Sequence, residues 1–109
     1  MTDPAFSVGI EEEYLRVDPD TRDLIGDAPA GMLPECERLL EDQVTPEFVP
    51  SQIEVGTRVC VTMGDARTDL TRLRQTVAQV AGDHGVAMIA ASTQPFASAA
   101  AQKTTHKQH

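Results

Sequence analysis

Leu70, Leu73, Val77, Val80, Ala81 and His84 return at steps of three and four, and this stripe constrains the fold of the 109-residue chain more than any other feature. Such spacing gathers side chains on one face of an α-helix. It predicts a helix from about Met63 to His84, with Thr62 as N-cap, Asp65 three residues on as in a capping box, and Gly85 as the C-terminal stop. Arg67, Arg72, Arg74 and Gln79 fall mostly off the stripe. A helix of that length measures roughly 33 Å and is a major structural element.

The flanking segments read as the sheet that such a stripe covers. Phe6 to Val17 alternates as a strand, with Phe6, Val8, Ile10 and Tyr14 on one face and Gly9, Glu11, Glu13 and Leu15 on the other. Asp18-Pro19-Asp20 sets a turn, and Leu24-Ile25 reads as a short return strand. Pro34 to Val44 reads as a short helix with an acidic first turn. Phe48 to Thr57 is a second strand, with Val49, Ile53 and Val55 on one face, Gln52, Glu54 and Gly56 on the other, and Pro50 marking an edge or a bulge. Val86 to Thr93 follows the long helix as an apolar strand, expected to be covered on both faces. Residues 97–109 carry no apolar period and read as a loop or tail. The order of elements predicts an α/β-layered unit, its sheet covered by the long helix.

Composition narrows the partners. Nine basic residues stand against seventeen acidic ones, a net charge of −8, which argues against nucleic acid or an anionic membrane as the main partner. Cys36 and Cys60 are isolated, so reduced packing residues of a cytoplasmic protein are expected rather than a disulfide. No secretory signal is visible, and the longest apolar run, Val86 to Ala91, is far too short to span a bilayer. His84, at the end of the long helix, complements its dipole; His106 and His109 have no ligand partner at a recognisable spacing. A chain of 109 residues with three Phe, one Tyr and no Trp has little room for a cleft holding several substrates, so a fragment or an accessory module is expected.

The acids carry the chemical information. Three in succession, Glu11-Glu12-Glu13, ordinarily make a solvated face. Here they interrupt a strand, so Glu11 and Glu13 share one face about 7 Å apart, while Glu12 points the other way. Like charges on neighbouring positions of one face repel unless something positive lies between them. A divalent cation is an economical answer, because Mg²⁺ takes hard oxygen ligands. Glu54, with Gln52 beside it, lies on the polar face of the second strand and would join Glu11 and Glu13 if the two strands share a sheet. By itself Glu54 reads first as an exposed strand residue.

The run Phe6-Ser7-Val8-Gly9-Ile10-Glu11-Glu12-Glu13-Tyr14-Leu15-Arg16-Val17-Asp18 resembles the opening strand of the type 2 glutamate–cysteine ligases, or carboxylate-amine ligases. Glu47 to Thr57 resembles their second signature, with Cys60 at the usual place, Asp65 to Val86 their long helix, and Ala91-Ser92-Thr93-Gln94-Pro95-Phe96-Ala97 the segment after it. The resemblance implies an α+β fold, part of a glutamine-synthetase-like antiparallel sheet with one long covering helix. It implies ATP-dependent phosphorylation of a carboxylate, glutamate by the family name, followed by attack of an amine such as cysteine on the acyl phosphate. Glu11, Glu13 and Glu54 match metal ligands for Mg²⁺ or Mn²⁺. Gln52 and Gln94 are candidates on the substrate side, although the family usually has His where Gln94 stands and an aromatic residue near Ser98-Ala99. No catalytic residue is assigned. Residues 1–109 are expected to be the N-terminal part of one ligase catalytic domain, inactive alone and open to self-association. The competing expectation is a non-catalytic remnant serving as a cation-binding or interaction module.

Overall fold

A computed structural model describes residues 6–27, 29–46 and 52–99. Strand β1 (Phe6–Val17) is followed by helix α1 (Met32–Leu40), a single 3₁₀ turn (Glu41–Gln43), β2 (Val44–Pro46), β3 (Gln52–Gly56), α2 (Met63–Asp83) and β4 (Ala87–Ala99). The four strands form one antiparallel sheet in the order β2-β3-β1-β4. The architecture is therefore α+β, with two helices on one face of the sheet.

Helix α2 forms as its spacing predicts. Thr62 Oγ1 accepts the Asp65 amide at 3.1 Å, and Gly85, at φ +73°, turns the chain where a side chain would be strained. Its stripe, from Ala66 through Leu70, Leu73, Val77, Val80 and Ala81, is buried. Ile10 and Tyr14 of β1, Ile53 and Val55 of β3, and Met32, Cys36 and Leu40 of α1 complete one core with it. His84 caps α2, its Nδ1 lying 2.9 Å from the Val80 carbonyl oxygen.

Several expectations need correction. The short helix starts at Met32 and ends at Leu40; the residues after it form the 3₁₀ turn and β2, a strand not anticipated. It adds a second helical layer element to the expected single covering helix, burying Met32, Cys36 and Leu40. The second strand is limited to Gln52–Gly56, and Phe48, Val49 and Pro50 lie outside the described residues. The return strand is one bridge, Val17 to Leu24, because Asp18 Oδ1 accepts the Asp20 and Thr21 amides and holds the chain in a turn. Strand β4 runs to Ala99, so residues 97–99 are strand rather than tail; 100–109 lie outside the described residues. Pairing with all of β1, from Phe6 opposite Ala99 to Val17 opposite Ala87, supplies the backbone partners that an apolar pattern does not reveal. The expected double cover of β4 is absent too: Ile89 is 44% exposed.

Candidate functional site

One face of the sheet lies against the helices; among the described residues no helix or strand covers the other, the open face. Alternation along β1 sends Ile10, Glu12, Tyr14 and Arg16 to the helical side, where all four are buried, and Glu11, Glu13 and Leu15 to the open side, where all are half-buried. Strand β3 repeats the pattern, with Ile53 and Val55 buried and Gln52, Glu54 and Gly56 half-buried.

Register then sets the neighbours. Glu13 lies directly opposite Glu54 on β3 and Ser92 on β4. Glu11 lies opposite Gly56 and Gln94, while Leu15 lies opposite Gln52 and Ile89. The open face thus carries Glu54, Glu13 and Ser92 in one row and Glu11 and Gln94 in the next. Ser92 Oγ donates to Glu13 Oε1 at 3.0 Å. Gln52 stands one row further on, toward the Leu15 end. Beyond Glu11 the face is closed by Phe96, whose ring covers Gly9 so tightly that a Cβ there would collide with it.

All five sequence-predicted site residues therefore share one face, with Glu13 and Glu54 as a cross-strand pair. Among the described residues, no group of three or more His, Cys, Asp or Glu side chains is gathered closely enough to form a metal cage. Mg²⁺ sites seldom use one: a carboxylate or two, with water and substrate phosphate, suffice. The hard oxygen donors of Glu13 and Glu54, with Glu11 beside them, fit that chemistry.

On the helical side lies a group that sequence reasoning missed. Arg74 of α2 grips the Glu12 carboxylate with two bonds, Nε to Oε1 at 2.8 Å and Nη2 to Oε2 at 2.7 Å. Tyr14 Oη donates to Glu12 Oε1 and Thr93 Oγ1 to Oε2, each at 2.5 Å. The Arg74 bond, against the opposing cost of burial and with help from the two hydroxyls, lowers Glu12 from 4.5 to about 2. Burial and the adjacent carboxylate push the Tyr14 phenol up. Both groups are locked, Glu12 as anion and Tyr14 as neutral donor. The clue lay in parity: Glu12 shares the face of Ile10 and Tyr14, and a carboxylate there requires a buried partner.

A second network pins the chain after β3. Asp69 of α2 accepts the Arg58 amide at 2.8 Å, Gln43 Nε2 at 2.9 Å and Arg72 Nε at 3.0 Å. Burial works against its ionisation, but these bonds outweigh it and leave the Asp69 carboxyl lowered. They hold the stretch that runs back to β1, where Thr57 N donates to the Ile10 carbonyl and Cys60 bridges Val8.

The geometry defines a layered α+β unit whose open sheet face presents paired carboxylates. Comparison with known proteins agrees with the motifs that carry it. The glutamate-cysteine ligase family 2 model matches residues 7–109, and the chain belongs to that family. A relative from Jannaschia sp. is 50% identical over 107 residues, covering 98% of this chain and 28% of the relative. One from Rhodospirillum rubrum is 46% identical over 112 residues, covering 99% and 29% respectively. One from Chloroflexus aurantiacus is 43% identical over 103 residues, covering 94% and 26%. All three are provisionally named glutamate–cysteine ligase 2. The chain thus spans little more than a quarter of the length of the curated relatives it matches. Among the described residues no helix is long and apolar enough to cross a membrane.

Proposed function

We propose that this chain forms the opening part of the catalytic domain of an ATP-dependent carboxylate–amine ligase, and that its open sheet face holds the divalent cation of the nucleotide. The observation that carries the reading is the cross-strand pair Glu13–Glu54 with Glu11 on the same face, in a chain of this family. Carboxylates directly opposite one another present hard oxygen donors at a spacing that suits a divalent cation, which takes a carboxylate or two alongside water and phosphate. When bound there, Mg²⁺ or Mn²⁺ neutralises charge on the transferring phosphoryl group.

The chain's own residues do the holding. Glu13 and Glu54 bind, Glu11 and Gln94 flank, and Gln52 stands on the substrate side. The Glu12–Arg74–Thr93 network ties β1 to α2 and β4 beneath them. The remaining family sequence supplies the groups that grip the triphosphate and orient glutamate for attack by cysteine or another amine on an acyl phosphate. The antiparallel sheet with one face covered and one open supports a glutamine-synthetase-like arrangement of the whole domain.

The test compares this chain with a protein of the relatives' full length, each supplied with Mg²⁺, ATP, glutamate and cysteine. The longer protein is expected to release ADP and phosphate in step with amide, and to lose that activity in Glu13→Gln. The 109-residue chain is expected to give no amide, since phosphoryl transfer rests on complete positioning. Amide formation by the short chain, or full activity of the Glu13→Gln enzyme, would contradict the proposal.

A further inference from the structure

Strand β4 pairs with β1 in two registers separated by one extra residue. Tyr14 lies opposite Ala90 and Glu13 opposite Ser92, so Ala91 is the bulge. A bulge of this kind re-aims every side chain beyond it. Carrying the Tyr14–Ala90 register onward without it would set Ala91 against Glu13, Ser92 against Glu12, Thr93 against Glu11 and Gln94 against buried Ile10. With it, Ser92, Thr93 and Gln94 stand opposite Glu13, Glu12 and Glu11 in turn. Glu13 thereby exchanges Ala91 for a neighbour able to donate a hydrogen bond, Glu12 and Glu11 keep such a neighbour, and Gln94 is kept off the core. Two of these pairs are bonded, Ser92 to Glu13 at 3.0 Å and Thr93 to Glu12 at 2.5 Å.

The two bonds do different work. Thr93 helps to satisfy a buried carboxylate already held by Arg74 and Tyr14. Ser92 serves a half-buried carboxylate that faces Glu54 across the sheet. We infer that Ser92 is a positioning residue for cation binding: its hydroxyl holds Oε1 of Glu13 and so fixes the orientation in which that carboxylate would meet a cation on this face. This rests on the proposed role of the open face. Hydrogen-bond partners of ligating carboxylates orient the ligand, and their loss commonly costs tenfold or more in metal affinity. Ser92 touches neither substrate nor cation in this role and acts only through Glu13.

Mn²⁺ binding to the 109-residue chain, followed by electron paramagnetic resonance of the free ion, tests the inference without any assay of activity. Ser92→Ala is expected to weaken binding by about tenfold with an unchanged urea midpoint, and Ser92→Thr to restore it by keeping the hydroxyl. Glu13→Gln serves as the reference loss. If Ser92→Ala binds as the parent does while Glu13→Gln fails, Ser92 has no such role although the face still binds the ion. If Ser92→Thr is as weak as Ser92→Ala, the hydroxyl is not the active feature and the inference falls. If the parent shows no saturable binding, or Glu13→Gln matches it, the cation reading of the face falls and takes the inference with it.

Discussion

Replacing Arg74 by Met removes the guanidinium while keeping most of the stem that packs on α2. Glu12 then remains among apolar neighbours, its side chain fully buried, with only the Tyr14 and Thr93 hydroxyls left to it. The lowering of Glu12 from 4.5 to about 2 corresponds to about 3 kcal/mol of preference for the ionised form. The Thr93 and Tyr14 hydroxyls supply part of that lowering and stay in the variant. Arg74 is also 51% exposed and so screened by water, which leaves about 2 kcal/mol or less for the guanidinium. Adding the penalty of a carboxylate left short of partners, Arg74→Met should cost roughly 2–3 kcal/mol near pH 7. A group whose folded pKa is depressed stabilises above its unfolded value and loses that contribution as pH falls through the folded one. The difference between parent and variant should therefore be full above pH 4.5 and shrink toward zero as pH approaches 2. Urea unfolding of both proteins across that range, followed by circular dichroism, measures it. A variant within about 0.5 kcal/mol of the parent near neutrality would place the pair among ordinary surface bridges and refute the reasoning. So would a difference that grows on acidification.

Arg16 presents the opposite case. It is 3% exposed, with Nε and Nη1 buried and without a hydrogen-bond partner among the described residues, and burial lowers its pKa. Arg16→Met should raise the urea midpoint, by about 1 kcal/mol or more, since an unpaired buried cation costs more than an apolar side chain of similar length; a lower midpoint would mean that the guanidinium is satisfied in solution. The two thiols should separate by access: burial pushes both up, but Cys36 is wholly buried and Cys60 half-buried. Iodoacetamide in native buffer should label Cys60 slowly and leave Cys36 intact until urea unfolds the chain, and mass spectrometry of peptides reads this directly; equal labelling of both would show that α1 opens readily from the sheet.

What the sequence disclosed follows from periodicity, and what it concealed follows from long-range pairing. The period of two along β1 separated Glu12 from Glu11 and Glu13, and the three-four stripe of α2 with its Thr62 cap marked the helix to within a residue at its end. Those patterns are local, so they survive without tertiary information. The identity of Glu12's partner is not local: Arg74 lies 62 residues away. Arg74 does follow Leu70 by four and precedes Val77 by three, which puts it at the margin of the buried stripe rather than away from it. The bulge at Ala91 had no Gly or Pro to announce it, and a three-residue strand such as β2 is too short for a period to show. The length of β4 was hidden because Gln94, Pro95 and Ala97 do not alternate; pairing with β1 makes them a strand.

The open face of the sheet, through Glu13 and Glu54 with Glu11 beside them, is the proposed seat of the divalent cation. Paramagnetic broadening by substoichiometric Mn²⁺ in amide spectra of the ¹⁵N-labelled chain tests it most directly, because the effect maps distance from the ion without requiring turnover. The account predicts that the amides of Glu11, Glu13, Glu54 and Ser92 fade first, that those of α1 and α2 persist, and that Glu13→Gln abolishes the pattern while Ser92→Ala needs more metal to produce it. First broadening at the acidic residues of α1 or the Asp18–Asp23 turn, with the sheet amides untouched, would contradict it.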